Sequence, residues 1–121
     1  MAKKILAVDD SRTMREMVTF TLRGAGFEVI EAEDGQKALT ALSGGKADLI
    51  ITDLNMPNMD GIALIKKLHG DPQHRATPII MLTTESDPAK KSQGKDAGAT
   101  GWLVKPFDPG KLVDVVKKLC P

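Results

Sequence analysis

The sequence predicts one α/β domain built on a parallel sheet that is covered on both faces. Three observations carry that prediction. Apolar runs at 5–8, 49–51, 79–82 and 102–104 are short, branched or aromatic, and continuous rather than alternating. Continuous runs mark strands buried on both faces, as in parallel sheets. Between them, apolar residues recur three and four positions apart, the spacing of helices. The chain has 121 residues, the length of one domain.

The elements follow in order. The run at 5–8 is the first strand. Met14, Met17, Val18, Thr21, Leu22 and Ala25 then trace a helix that Gly24 and Gly26 stop. Residues 29–32 are less apolar and read as an edge strand. A short helix at 37–42 ends at Gly44 and Gly45. The run at 49–51 is the third strand. Ile62, Ile65 and Leu68 mark the third helix, closed by Gly70. After the strand at 79–82, residues 88–98 read as a poor helix. Its centre is Ser92, Gln93 and Gly94, and its clear apolar residues are alanines, so it is expected to be the least stable helix. Trp102, Leu103 and Val104 form the last strand. Leu112, Val115, Val116 and Leu119 form the last helix, which uses up the chain. Strict alternation of strand and helix implies crossovers that place helices on both faces. The expectation is a single domain over 1–121 with no output domain attached.

Composition narrows the function. The chain is 41% hydrophobic and 27% charged, ordinary for a globular protein and unlike a disordered one. Seventeen basic and 16 acidic residues give a net charge of +1, which argues against a nucleic-acid or anionic-membrane binder. The lone Cys120 excludes an internal disulfide framework and fits a reducing cytoplasm. Lys3 and Lys4 precede an apolar run that Asp9 and Asp10 cut short, too brief for a signal-peptide core. No run approaches the ~18 apolar residues of a membrane span. A cytoplasmic monomer is expected.

Open parallel sheets bind ligands at the carboxyl ends of their strands. There the first run ends in Asp9 and Asp10, the third in Thr52 and Asp53, the fourth in Thr83 and Thr84, and the last in Lys105. Each alone has an ordinary explanation. Asp9 or Asp10 could cap the next helix. Asp53 could sit in the turn-rich stretch that runs to Gly61, Thr83 could be a satisfied loop threonine, and Lys105 a solvated strand end. Their shared rim is the stronger signal. Close carboxylates repel, so one must protonate or a cation must enter, and Lys105 offsets only one charge. Oxygen ligands with room for water suit Mg²⁺. A strand-end carboxylate beside a metal can act as a phosphoryl acceptor. Lys105 is a compact charge suited to phosphate and precedes Pro106, an X–Pro bond open to the cis form. His69 and His74 lack partners at metal-ligand spacing. Met14 and Met17 read as packing residues, and Cys120 is assigned no role.

These residues, taken as a set, resemble a response-regulator receiver domain. The resemblance rests on the strand-end Asp9–Asp10, the stretch T-D-L-N-M-P-N-M-D-G from Thr52, Thr83, and Lys105-Pro106-Phe107, and it covers the whole chain. The stretch D-D-S-R-T-M-R from Asp9 is similar to the stand-alone chemotaxis subgroup. The family implies a flavodoxin-like, doubly wound sheet of order 2-1-3-4-5 with five helices. It implies that Asp53 accepts the phosphoryl group and that Asp9, Asp10, Asp53 and the Asn55 carbonyl hold Mg²⁺. Thr83 and Lys105 would contact the phosphoryl group, and Asn55 and Glu85 would tune its rates of gain and loss. Thr83 and Trp102 would form the switch, although tyrosine or phenylalanine is usual where Trp102 stands. Thr84 stands where the family often has a smaller residue. The partners implied are a sensor histidine kinase as donor, a flagellar motor switch protein or other target, and a phosphatase. The surface of the fourth helix, last strand and last helix would carry the output.

Three rival readings remain. A phosphorelay intermediate or phosphate sink would use the same residues. A small Mg²⁺-dependent aspartate-nucleophile phosphatase places its first two acids two residues apart, whereas here they are adjacent and Ser11 takes the second place. A flavodoxin-like cofactor binder would need a phosphate loop where Asp9 and Asp10 stand.

Overall fold

The computed structural model describes residues 3–56, 59–84 and 87–120. Five strands alternate with five helices: β1 (Lys4–Val8), α1 (Arg12–Gly24), β2 (Glu28–Ala32), α2 (Gly35–Ser43), β3 (Leu49–Thr52), α3 (Gly61–His69), β4 (Ile79–Thr83), α4 (Pro88–Ala97), β5 (Gly101–Val104) and α5 (Pro109–Leu119). The strands form one parallel sheet, as the apolar runs predict, in the order β2-β1-β3-β4-β5 that the family resemblance implies.

The alternation of side chains along each strand divides the core in two. Ile5 and Ala7 face the layer that holds Val18 and Leu22 of α1 and Leu112 and Val116 of α5. Leu6 and Val8 face the opposite layer, with Ala38 and Leu42 of α2 and Leu64, Ile65 and Leu68 of α3. Strands β1, β3 and β4 are thus covered twice, which is why their sequence runs do not alternate. Two expectations need correction. β5 is an edge strand and is only half-buried, with Val104 exposed. Met17 is half-exposed, not packed: α1 buries Val18, Thr19 and Leu22, and Met17 lies off that stripe beside the exposed Phe20.

Each helix begins on a side-chain cap: Ser11, Asp34, Asp60, Asp87 and Asp108 accept from backbone N–H groups in the first turn. Each such cap contributes about 1 kcal/mol. The cap of α1 is Ser11, whose Oγ accepts from Met14 N at 3.2 Å, so neither Asp9 nor Asp10 has that role. α1 and α4 close on glycines with positive φ, Gly26 at 95° and Gly98 at 122°. At each, the residue after the glycine donates back to a carbonyl in the last turn of the helix, Phe27 to Leu22 and Ala99 to Gly94. That closure places a residue in the left-handed region, where glycine is unstrained. Cys120 is buried in the α1/α5 layer. Among the described residues, no helix is long and apolar enough to cross a membrane.

Candidate functional site

The sheet ladder carries the site residues to one rim. Beyond β1, Asp9 N–H donates to Ala32 O at 3.1 Å, and beyond β3, Asp53 N–H donates to Val8 O at 3.0 Å. Thr83 closes β4 opposite Val104, and Lys105 N–H donates to its carbonyl at 2.9 Å. The register therefore sets Asp9, Asp53, Thr83 and Lys105 side by side. The Lys105–Pro106 peptide is cis.

The side chains converge. Lys105 Nζ donates to Asp9 Oδ2 at 2.6 Å and to Asp53 Oδ2 at 3.1 Å. All three groups are about nine-tenths buried, with side-chain exposures of 9%, 8% and 10%. The other carboxylate oxygens are held from the backbone: Asp9 Oδ1 accepts from Ser11 N at 2.9 Å and Asp53 Oδ1 from Leu54 N at 2.7 Å. Asp10 is exposed at the mouth. Carboxylate oxygens of Asp9, Asp10 and Asp53 lie within 4.8 Å of one another.

This arrangement shifts protonation. Burial disfavours the ionised form of Asp9 and raises its pKa, outweighing the hydrogen bonds from Lys105 and Ser11 N–H that favour the carboxylate. Burial also works against the Lys105 ammonium, but the hydrogen bonds to Asp9 and Asp53 prevail and hold its pKa above the ordinary lysine value. Among the described residues, the three acids of the rim have one cation on their carboxylates, Lys105.

The remaining sequence candidates are spread more widely. Asn55 lies two residues past Asp53 and is exposed. Thr83 is fully buried, and Thr84 beyond it is exposed. Glu85 lies outside the described residues. Trp102 sits in the middle of β5, half-buried, and packs toward the α2/α3 layer. Its indole rests on Gly94 of α4, where a β-carbon would lie 2.7 Å from Cζ3. Beside it, Lys91, Lys95, Ala99 and Thr100 help line a groove of about 440 Å³.

Two contributors escaped the sequence reading. Gly61 opens α3 against the site loop, and a β-carbon there would lie 2.3 Å from Asp53 O. A glycine behind an Asp cap was the available signal. Arg15, half-buried on α1, donates from Nη1 to Asp9 O at 2.7 Å. The sequence reading holds it only as the end of the D-D-S-R-T-M-R stretch and gives it no role, because its partners lie outside α1.

A doubly wound parallel sheet with three acids, a threonine and a lysine on its carboxyl rim defines a receiver domain, the phosphoacceptor module of response regulators. Residues 5–117 match the response regulator receiver domain, and the chain belongs to that family. It is 40% identical to chemotaxis protein CheY-3 of Vibrio cholerae, over 96% of this chain and 90% of that one. It superposes on the structure of chemotaxis response regulator CheY4 of Vibrio cholerae with a TM-score of 0.93 at 48% identity, covering 98% of this chain and 99% of that one. The receiver domain of sensor histidine kinase PA1611 from Pseudomonas aeruginosa, solved with a magnesium ion coordinated in its active-site cleft, gives a TM-score of 0.91 at 25% identity, covering 99% and 98%. The chain spans about half the length of other curated relatives, the mycobacterial DNA-binding response regulators MtrA, to which it is 39% identical over 97% of its own length.

Proposed function

We propose that this chain is a phosphoacceptor switch of the chemotaxis type, with Asp53 as the acceptor. The observation that carries this reading is Lys105 Nζ bridging the buried Asp9 and Asp53 beside the exposed Asp10, an acid cluster with one cation on its carboxylates among the described residues. The donor set fits Mg²⁺. It consists of hard carboxylate oxygens, some reachable from solvent through Asp10, and a divalent cation would neutralise the excess charge. Asp9, Asp10, Asp53 and the Asn55 carbonyl would hold it. Bound there, Mg²⁺ supplies charge neutralisation for a transferring phosphoryl group.

The chain's own groups then divide the work. An Asp53 carboxylate oxygen attacks the phosphorus of a phosphohistidine on a sensor kinase. The P–N bond breaks, the imidazole leaves, and an aspartyl phosphate remains. Lys105 exchanges its bond to Asp53 for one to a phosphoryl oxygen, and the Thr83 hydroxyl donates to another. Asn55 and Glu85 tune the rates of transfer and hydrolysis. The shift of Thr83 and Lys105 biases Trp102 and α4, so that the α4–β5–α5 surface changes its affinity for a target such as a flagellar motor switch protein. The likeness to CheY-3 and CheY4 supports the chemotaxis assignment.

The test is incubation with Mg²⁺ and a small acyl phosphate, followed by intact mass and Trp102 fluorescence. Wild type should gain one phosphoryl increment and change its emission. Asp53→Asn should do neither beyond the metal effect. A phosphoryl increment that persists in Asp53→Asn would remove Asp53 from the role.

A further inference from the structure

We infer that Arg15 is a positioning residue for the acid cluster, acting through the peptide that joins Asp9 to Asp10. Its Nη1 donates to Asp9 O at 2.7 Å, and its Nε faces Glu31 Oε1 at 3.5 Å. The Arg15 side chain is only 15% exposed. Glu31 belongs to β2, whose register with β1 sets it opposite Ala7. The same strand supplies Ala32 O, which accepts from Asp9 N–H at 3.1 Å. With Ser11 N–H and Lys105 on its carboxylate, Asp9 is fixed at every polar atom.

The carbonyl that Arg15 holds belongs to the Asp9–Asp10 peptide. A rotation of that planar unit would swing Asp10 away from the rim. Asp10 is exposed, unlike Asp9 and Asp53, so its aim depends on its backbone. Arg15 supplies the donor that a short bend after a strand lacks, and Glu31 holds the guanidinium in place. The planar fork of arginine suits two partners at once.

Charge and position make opposite predictions here, which gives the test its sign. The inference rests on the Mg²⁺ reading of the site. Removing a cation beside an acid cluster strengthens binding of a divalent ion if charge governs. Releasing the Asp9–Asp10 peptide weakens it if position governs. Outer partners of metal ligands typically change affinity 10–100-fold. Arg15→Gln should therefore weaken Mg²⁺ binding about tenfold in a Trp102 fluorescence titration with MgCl₂. In the metal-free variant, the largest amide shift in a nitrogen–proton spectrum should fall on Asp10. Glu31→Gln should show both effects in the same direction and smaller, and it serves as the probe if Arg15→Gln does not fold. Mg²⁺ binding as tight as wild type or tighter overturns the inference. So does weakened binding with the Asp10 amide unmoved. If wild type itself shows no response to Mg²⁺, the metal reading fails, and the Asp10 shift alone decides whether Arg15 orients the peptide.

Discussion

The indole of Trp102 lies on the backbone of Gly94, at a place on α4 where any side chain would collide with it: a β-carbon there would be 2.7 Å from Cζ3 and 3.4 Å from Cε3. Gly94 is the buried residue of α4. A glycine inside a helix costs about 1 kcal/mol relative to alanine. The helix that reads as weak from its sequence is therefore weak partly because it makes room for the ring.

A double-mutant cycle tests the pairing. Gly94→Ala gains helix propensity but forces the indole aside, and overpacking of this kind costs about 1–3 kcal/mol. The variant should be no more stable than wild type, and its Trp102 emission should shift toward that of an exposed indole. In a Trp102→Tyr background the ring is smaller, and Gly94→Ala should stabilise by about 1 kcal/mol. Equal effects in both backgrounds would show that the two residues do not interact.

Gly61 should be less tolerant. A β-carbon there meets Asp53 O at 2.3 Å and Leu54 Cα at 3.0 Å, backbone atoms that cannot swing away. Gly61→Ala should destabilise by about 2–3 kcal/mol and slow phosphoryl uptake, because the atom displaced belongs to the acceptor residue. Gly24→Ala faces open space at the exposed end of α1 and is the control. Urea unfolding and a phosphorylation time course on both variants check this. An unaffected Gly61→Ala protein would mean the loop relaxes without moving Asp53.

The metal-free protein should carry a pH signature of Asp9. Its pKa is raised above 3.8 in the folded state, chiefly by burial. Between the unfolded and folded values the native state binds the extra proton, so this contribution to stability falls as pH rises through the window just above 3.8. Asp9→Asn lacks the titration. With EDTA present, the stability difference, variant minus wild type, should therefore increase with pH across that window and then level. A difference that shrinks with rising pH would mean that the fold favours the Asp9 carboxylate.

The architecture was legible because each strand and helix announces itself locally. Runs such as Ile79 to Leu82 do not alternate because both faces are covered. The rim was legible because strand ends in a parallel sheet converge, which turned five separate residues into one cluster. What stayed hidden depends on contacts between distant elements. Met17 and Val18 are neighbours in sequence, and only the helix rotation decides that one is buried and the other is not. Ser11 competes with two aspartates for the cap, and local propensity does not choose among them. The hydrogen bond of Arg15 to Asp9, its ion pair with Glu31, and the seat of Trp102 on Gly94 exist only once the elements pack.

Lys105 supplies the sharpest contrast with Arg15, since each is a cation at the acid cluster and their removal should act on metal in opposite directions. Lys105 touches the carboxylates themselves, with Nζ 2.6 Å from Asp9 and 3.1 Å from Asp53. Lys105→Met keeps the length of the side chain and removes its charge. It leaves two buried carboxylates without their common partner, and breaking a buried pair from one side costs about 3–5 kcal/mol. Asp10 leaves the mouth of the rim exposed, so the loss should be toward or below the lower end of that range, read as a lowered urea midpoint in EDTA. Mg²⁺ should then bind more tightly than in wild type, because the lysine no longer competes for Asp9 and Asp53. It should also recover more of the midpoint than it does in wild type, by mass action on the folded state. Phosphoryl uptake at Asp53 should persist, but the accompanying Trp102 change should be lost, since the group that follows the phosphoryl oxygen is gone. A Lys105→Met protein that is more stable than wild type in EDTA would show that the desolvation of Lys105 outweighs its two ion pairs.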